Sequence, residues 1–532
     1  MTRRWTEAQR RTAAAAAPPP HGTYGEGPDP IAWDVREQAA RHPLRDRAAG
    51  AVLLAVAGAM AALGQAPWNL WWLALPAWAL VVAVAARGRV PFLAVWLMVS
   101  VELTVALHWI VEPFLVVPSE LTPLAPLTVV ITAVGLAFFP ALGAGLGALL
   151  AGRGTAARAL GIGAGIMLGE MARSWLFTGF PWALPGHALI GSAALPAAAF
   201  AGAQGLGIAV VLGGALVAAF RPVALAAGLA LWALPFVLAA TLPPAPPPAA
   251  DAPVVRLVQP NAPQAQKWDP AFVNLFWRRS LELTAGPGRA DAVVWPETAL
   301  PMLLERAGGL RPAIARAAGG APAVVGAQRY GPEGDPRNAL ILLTGLRGEV
   351  DLVYDKHHLV PFGEYLPLPR LFAAFGFGPL AANLAGGYGA GEGPVVFDLP
   401  GVGRAMPMIC YEAIFPQYLR RVARPELLLQ ITNDAWFGPD AGPRQHLALA
   451  RMRAAESGLP LLRAANTGIS AAIDARGTVM SSLALNEAGA LDAALPPALP
   501  PTPYARTGDL APLLVLLALL AGLAALRFRH TP

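Results

Sequence analysis

The stretch PPAPPPAA, residues 243–250, divides the chain into two parts with different sequence patterns. Before it, long apolar runs follow one another and carry few charges. After it, short apolar runs typical of strands alternate with runs of helical spacing, until a last long apolar run near the C-terminus. Because consecutive prolines favour an extended, semi-rigid chain, we interpret residues 243–250 as a linker between a membrane part and a layered α/β domain.

The composition of the whole chain supports a membrane part. Of 532 residues, 55% are hydrophobic and 14% are charged, and the mean hydropathy is +0.50. Ordinary soluble domains are about 25% charged, so we predict a polytopic membrane protein. The only cysteine, Cys410, cannot belong to an intramolecular disulfide. Much of the net charge of +6 lies in the N-terminal tail and short loops, and no nucleic-acid motif is recognisable, so we expect no nucleic-acid partner.

Eight apolar runs have the length of a membrane-spanning helix, which is about 20 residues. We expect seven of these helices within residues 49–242 and the eighth within residues 509–527. The runs are residues 50–66, 70–86, 91–112, 125–151, 157–176, 198–219, 222–242 and 510–526.

The distribution of arginine predicts the orientation of these helices, because cytoplasmic loops are enriched in lysine and arginine. We place residues 1–48, a basic tail rich in alanine and proline, in the cytoplasm. The loops expected on the same side carry Arg87, Arg89, Arg153, Arg158 and Arg221. The short loops expected outside carry no lysine or arginine. Residues 251–505 then form a periplasmic domain at a bacterial inner membrane, and residues 528–532 end in the cytoplasm.

Three polar residues each follow an apolar strand of the predicted α/β domain. Glu297 follows AVVWP, Lys356 follows VDLVYD and Cys410 follows AMPMI. Ligands gather at the carboxyl ends of strands in α/β sheets, so we expect these side chains to share one cleft. Their chemistry fits acyl transfer through a thioester: Cys410 is the nucleophile and Glu297 takes the thiol proton. Lys356 is expected to lower the thiol pKa and to stabilise the oxyanion.

In this order, the three residues resemble the Glu-Lys-Cys triad of the nitrilase superfamily, whose fold is an αββα sandwich. Further motifs are similar to those of one membrane-embedded branch, the apolipoprotein N-acyltransferase family. The motifs are FTGFPW (177–182), PNAPQAQKW (260–268), WPETALP (295–301), DKHHLVPFGEYLP (355–367), CYEAIFP (410–416) and NDAWFG (433–438).

The resemblance implies a polytopic α-helical bundle carrying a periplasmic nitrilase-like domain, and a two-step reaction. Cys410 would take an acyl chain from a membrane phospholipid as a thioester. The α-amino group of an S-diacylglyceryl-cysteine, at the N-terminus of an apolipoprotein, would then accept the chain. We expect no cofactor, no metal and a monomer in the lipid bilayer.

The resemblance also implies residues around the triad. Glu364, Tyr411 and Glu412 are expected to support the active site. The expected wall or lid is aromatic and consists of Trp268, Trp436, Phe375 and Phe377. The last two lie in a glycine-rich stretch, residues 368–391, which we predict to be a mobile lid at the membrane interface.

Two other functions and one local alternative stay open at this point. A membrane-tethered amidase of the nitrilase type would share the triad but release the acyl group to water. A transporter or receptor with a degenerate nitrilase domain should have lost triad residues. In the fifth apolar run, Glu170 and Arg173 are either an ion pair that holds the bundle together or a contact for a phospholipid headgroup.

Overall fold

In the computed structural model, the described residues are 48–116, 118, 122–152, 154–368, 370 and 387–529. The predicted tail up to residue 47, the two lid residues Phe375 and Phe377, and residues 530–532 lie outside this part of the chain. The chain forms two compact units, Met1–Leu53 and Leu54–Pro532. Only six residues of the first unit are described, and they are helical.

The apolar runs before the linker form helices, because leucine, alanine and valine dominate them and their backbone groups bond within each segment. The helices described there are α1 (Ala48–Leu63), α2 (Trp71–Arg87), α3 (Pro91–Ala106), α4 (Glu112–Val116), α5 (Ala125–Ala151), α6 (Thr155–Trp175), α7 (Ala198–Ala218) and α8 (Pro222–Thr241). The helices after the linker are α9 (Gln264–Lys267), α10 (Val273–Thr284), α11 (Arg311–Ala317), α12 (Ala441–Ser457), α13 (Pro503–Thr507) and α14 (Leu510–Arg529).

Four helical segments in the described part of the chain are long and apolar enough to cross a membrane. Counting α3 with the bent segment that follows it raises the number to five. α1 and α2 are apolar but shorter. The four segments are Thr122–Ala151, Leu195–Ala218, Pro222–Thr241 and Leu510–Arg529.

The continuous helix predicted over residues 91–112 is wrong, because the chain bends by 60° between α3 and the segment His108–Val116. The amide of Ile110 donates to Leu107 O at 2.9 Å and not to the carbonyl of Ala106. Ala106 O instead accepts a hydrogen bond of 2.9 Å from the side-chain amide of Gln445, which lies in the α/β domain. A side chain inserted into the helical hydrogen-bond ladder is a known cause of a kink.

The domain after the linker contains two six-stranded sheets. In the first, the order is β12-β1-β2-β3-β4-β5, and in the second it is β11-β10-β9-β8-β7-β6. Each sheet has three parallel strands, β1 to β3 and β7 to β9, flanked by antiparallel ones. The strands are β1 (Val254–Gln259), β2 (Ala292–Val294), β3 (Ala323–Tyr330), β4 (Pro336–Thr344), β5 (Glu349–Asp355), β6 (Phe397–Leu399), β7 (Gly403–Ile409), β8 (Leu427–Thr432), β9 (Leu461–Ala465), β10 (Ala471–Ile473), β11 (Val479–Ser482) and β12 (Gly489–Ala494).

The two sheets pack face to face with helices on their outer faces, which is the expected αββα order. Alternate apolar side chains of β1, β2, β7 and β8 fill the space between the sheets, as side-chain alternation in strands requires. α10 and α11 cover the first sheet with Trp277, Leu281 and Ile314. α12 covers the second sheet, and the same apolar cluster continues into the membrane helices. Most of the 17 residues of α12 are therefore buried between sheet and bundle.

Candidate active site

The three residues singled out at strand ends come together between the two sheets. Lys356 follows β5 directly and Cys410 follows β7 directly, while Glu297 lies three residues beyond β2. Two antiparallel pairings separate β5 from β3, so β5 runs in the direction of β2 and ends at the same edge. Lys356 Nζ lies 3.7 Å from Glu297 Oε1. Both charges act on the thiol of Cys410, and all three side chains are buried.

The carboxylate of Glu297 is fixed by neutral donors. Asn338 Nδ2 donates to Oε1 at 2.6 Å, and the backbone amide of Asn433 donates to Oε2 at 2.8 Å. Lys267 approaches from the other side, where Nζ donates to Glu297 O at 3.2 Å and to the hydroxyl of Thr298 at 2.7 Å. Burial lowers the pKa of Lys267 to about 8, and the nearby Glu297 opposes this shift. The carboxylate is thus held in one orientation with one oxygen toward Lys356.

Lys356 lies between two carboxylates and stays charged. Besides Glu297, its ammonium group donates to Glu364 Oε1 at 2.8 Å. Glu364 Oε2 in turn accepts the backbone amide of Val360 at 2.8 Å. Burial alone would lower the pKa of Lys356, but the charges of Glu364 and Glu297 outweigh it and raise that pKa. The predicted supporting residue Glu364 therefore orients the cation of the site.

The thiol of Cys410 is protonated in the resting site. Burial and then the charge of Glu297 raise its pKa, whereas Lys356 and a hydrogen bond with Thr432 oppose the rise. Lys356 by itself lowers the thiol pKa, as predicted. Burial and the charge of Glu297 raise this pKa by more, so the net shift is upward. A thiol in this state needs a base to take its proton before it can act as a nucleophile.

The backbone at Cys410 is in the left-handed region, with φ of +50°. This conformation costs a non-glycine residue about 1–3 kcal/mol and persists only where neighbours hold it. Cys410 begins a short 3₁₀ turn, Cys410–Ile414, which changes the chain direction directly after β7. The turn places the thiol beyond the end of the strand.

Glu412 ties this turn to the segment after β5. Its carboxylate accepts the backbone amides of Ile409 at 2.7 Å and His357 at 2.8 Å, and the hydroxyl of Tyr354 at 2.9 Å. Burial would raise the pKa of Glu412, but hydrogen bonding and the charge of His357 lower it overall. Glu412 thus bridges the two sheets as an anion.

Tyr411 connects the turn with the membrane part. Its hydroxyl donates to the carbonyl of Gly179 at 3.4 Å, within the FTGFPW motif. Burial raises the pKa of Tyr411, so the phenol is neutral. Trp268 and Trp436, the predicted wall residues, are only partly covered: Trp268 is 41% exposed beside Lys267, and Trp436 is half-buried in the 3₁₀ turn Asp434–Phe437.

Several polar residues of the site were not singled out from the sequence. Tyr388 accepts a hydrogen bond of 2.5 Å from Gln328 Nε2, and the charges of Glu364 and Glu297 add to burial in raising its pKa. Asn338 begins the apolar stretch NALILLTG, where only the strand was recognised. The remaining ones lie behind Cys410 and are Gln430, Asp434, His446 and Arg463. NDAWFG marked the position of Asp434 but gave no signal for its partners.

The pair Glu170 and Arg173 belongs to the protein interior. Both residues are 1% exposed, and Arg173 Nε donates to Glu170 Oε2 at 3.0 Å. Arg173 Nη1 also donates to the carbonyls of Phe180 at 2.9 Å and Trp182 at 2.8 Å. These contacts favour the structural alternative, in which Arg173 fixes the FTGFPW segment against α6.

Fold and site together define an enzyme-like αββα domain that holds a buried glutamate, lysine and cysteine and packs against a bundle of apolar helices. Residues 57–216 match the family model described as the apolipoprotein N-acyltransferase N-terminal domain, and residues 255–499 match the model described as carbon-nitrogen hydrolase. A curated apolipoprotein N-acyltransferase of Rhodopseudomonas palustris is 36% identical over 521 residues, which is 90% of this chain and 95% of that protein. One of Sinorhizobium fredii is 39% identical over 419 residues, 74% of this chain and 78% of that protein.

The chain belongs to the apolipoprotein N-acyltransferase family. It is accordingly an acyltransferase of lipoprotein N-acylation, and the names of the relatives favour acyl transfer over the amidase and transporter alternatives. Among solved structures, an amidase from Nesterenkonia sp. is also similar, with 20% identity and a TM-score of 0.34 over 47% of this chain and 92% of that chain.

Proposed function

We propose that this protein transfers an acyl chain from a membrane phospholipid to the N-terminal S-diacylglyceryl-cysteine of apolipoproteins through a thioester on Cys410. The observation that carries the proposal is the contact of Lys356 Nζ with Glu297 Oε1, 3.7 Å, beside the only thiol of the chain. Because the thiol is protonated, an adjacent carboxylate is needed to make it a nucleophile.

In the first step, Glu297 takes the thiol proton and Sγ attacks the ester carbonyl carbon of the phospholipid. Lys356 donates to the oxyanion that forms. The tetrahedral intermediate collapses by breaking the bond to the glycerol oxygen, and Glu297 returns the proton to that oxygen. The products are a lysophospholipid and the thioester on Cys410.

In the second step, the neutral α-amino group of the acceptor attacks the thioester carbonyl. Glu297 takes the proton that the nitrogen loses, and Lys356 again stabilises the oxyanion. Breaking the carbon–sulfur bond gives the amide, and the proton on Glu297 restores the thiol. Glu364, Tyr411 and Glu412 support both steps by orienting the cation and the turn.

The contact between the α/β domain and the membrane helices supports two lipid substrates. Lifting an acyl chain out of a bilayer costs about 0.8 kcal/mol per CH₂, which a site at the membrane surface largely avoids. Trp175, Leu176 and Phe177 expose their apolar side chains two to four residues before Gly179, whose carbonyl contacts Tyr411. These residues fit an entry for acyl chains beside the nucleophile.

The topology belongs to the same proposal. It has eight membrane spans, with the bent segment after α3 counted in the third, and both termini in the cytoplasm. Residues 251–505 then form a periplasmic domain, joined to the bundle by the linker 243–250 and followed by the last span within 509–527. The arginine-free outer loops support this orientation. We expect the protein to act as a monomer without metal or cofactor.

Mass spectrometry of the full chain in phospholipid-containing detergent micelles tests the reaction. The wild type should carry an acyl adduct on Cys410, and an S-diacylglyceryl peptide should discharge it far faster than water does. Cys410→Ser should carry no thioester, and Glu297→Gln should remain folded but acylate slower by on the order of 10²–10⁴-fold. A wild type without adduct contradicts the thioester, and equal discharge by water and peptide favours the amidase.

A further inference from the structure

Gln445 joins the α/β domain to the membrane helices through four hydrogen bonds. It lies in the second turn of α12 and is 3% exposed. Its side-chain oxygen accepts the indole N–H of Trp109 at 3.0 Å and that of Trp182 at 2.8 Å. Its amide nitrogen donates to the carbonyls of Ala66 at 3.0 Å and Ala106 at 2.9 Å. Both donors and both acceptor positions of the amide are thus used.

All four partners precede the linker, so they belong to the membrane part of the chain. Two of them are backbone carbonyls, and one of these, Ala106 O, is available because α3 ends there. Only an uncharged amide supplies two donors and two acceptors in this arrangement. A carboxylate would lose both donors, and an apolar side chain would remove the hydrogen-bond partner of two indoles and two carbonyls.

His446, the next residue of α12, extends the contact to the nucleophile. Burial and then the charge of Arg463 lower the pKa of His446, and its Nδ1 lies 2.9 Å from Asp434 Oδ1. Its Nε2 lies 3.1 Å from Cys410 O and 3.0 Å from Gln430 Nε2, and Gln430 Nε2 itself donates to Cys410 O at 3.3 Å. The buried ion pair of Asp434 with Arg463 balances the charge of this network.

Trp182, in the membrane part of the chain, contacts both Gln445 and His446. The Trp182 ring that donates to Gln445 lies 5.8 Å from the His446 ring and 4.9 Å from the Trp109 ring. A shift of Trp182 would therefore move both Gln445 and His446, and through His446 and Gln430 it would reach the carbonyl of Cys410. That carbonyl belongs to the residue with φ of +50°, which neighbours must hold in place.

We propose that Gln445 is a positioning residue, which sets the orientation of the Cys410 thiol by fixing the catalytic turn to the membrane helices. The inference rests on the proposed function, because it concerns the same thioester chemistry. The four hydrogen bonds of Gln445 all go to the membrane part of the chain, so it acts on Cys410 through α12, His446 and Gln430. In this arrangement the bundle is part of the catalytic apparatus as well as its anchor.

The test compares Gln445→Leu with wild type in detergent, using the full chain. The control is Arg444→Ala, one residue away on α12, where an exposed ion pair with Asp440 is lost. Because Cys410 is the only cysteine, its alkylation by iodoacetamide reports on this thiol alone. We expect Gln445→Leu to slow acyl-adduct formation by about 10- to 100-fold and to shift the pH profile of alkylation, while Arg444→Ala matches wild type.

A second variant keeps the inference testable where Gln445→Leu fails to fold. Trp182→Phe retains a ring but removes the N–H donor, and should slow acylation by about 3- to 10-fold with a shifted alkylation profile. The coupling between Gln445 and Cys410 would be overturned if a folded variant kept the acylation rate and the alkylation profile of wild type. It would also be overturned if the acylation rate fell only in proportion to the folded fraction. If wild type itself forms no adduct, the proposed function fails instead, and the alkylation profiles still judge the positioning of the thiol.

Discussion

The two sheets of the α/β domain hold their parts of the active site in different ways. Glu297 and Lys356, at the ends of first-sheet strands, are fixed by partners within the domain, such as Asn338 and Glu364. Cys410, at the end of a second-sheet strand, contacts His446 of α12, and the neighbouring Gln445 of α12 reaches the membrane helices. The charges of the site are thus internal to the domain, whereas the geometry of the nucleophile depends on the bundle.

The substitution with the largest expected effect removes the cation at the ends of the first-sheet strands. Lys356→Met removes the cation between Glu297 and Glu364, so the two carboxylates repel each other and the oxyanion loses its donor. We expect acyl-adduct formation to fall by on the order of 10²–10³-fold. The measurement is the rate of adduct growth by mass spectrometry.

Lys356→Arg is the matched variant, because it restores a positive charge with a different shape. It should recover part of the lost rate. A rate for Lys356→Met within twofold of wild type would show that the internal charge pair is not needed.

A smaller effect is expected at Glu412, which bridges the two sheets. Glu412→Gln keeps the shape of the side chain but points an amide N–H₂ group at donors that now contact carboxylate oxygens. We expect a loss of about 1–3 kcal/mol in the free energy of unfolding and roughly a tenfold slower acylation at equal folded fraction. Thermal unfolding and adduct growth measure the two effects.

Glu333→Gln, at an exposed position of the same domain, is the control and should match wild type. If Glu412→Gln kept the stability and the rate of wild type, the two sheets would not need this bridge.

The smallest effect concerns the contact of α12 with the bundle near Glu456. Its carboxylate accepts the backbone amide of Ala203 at 2.8 Å and pairs with Arg453, and burial raises its pKa to about 7 from an ordinary 4.5. Between these values the folded state binds more protons than the unfolded state, so stability falls as the pH rises from about 4.5 to about 7. The change is roughly 1–3 kcal/mol.

Glu456→Gln removes this titration. The melting temperature of the variant should therefore fall less steeply than that of wild type over this pH range. Melting curves at several pH values compare the two, with Glu333→Gln expected to keep the wild-type slope. Equal slopes for Glu456→Gln and wild type would contradict the raised pKa.

The sequence predicts the parts of the fold that local patterns determine. Glu297, Lys356 and Cys410 were singled out because each follows an apolar strand, and the alternation of strands and helices predicted a layered α/β domain, whereas the αββα order came from the family resemblance. The bend after α3 was missed, because the partner of Ala106 O is Gln445, more than 300 residues away. Asn338 and His446 were missed for the same reason, since their roles arise from contacts between distant strands and helices.

The burial of α12 also determines how the protein can be handled in the laboratory. α12 is covered by a sheet on one side and by membrane helices on the other, so most of its 17 residues are buried. Residues 251–505 expressed alone would expose this apolar surface, and such patches lead to association. We therefore expect these residues to fail when they are cut out, transplanted or crystallised separately, and protein engineering to require the bundle as their permanent partner.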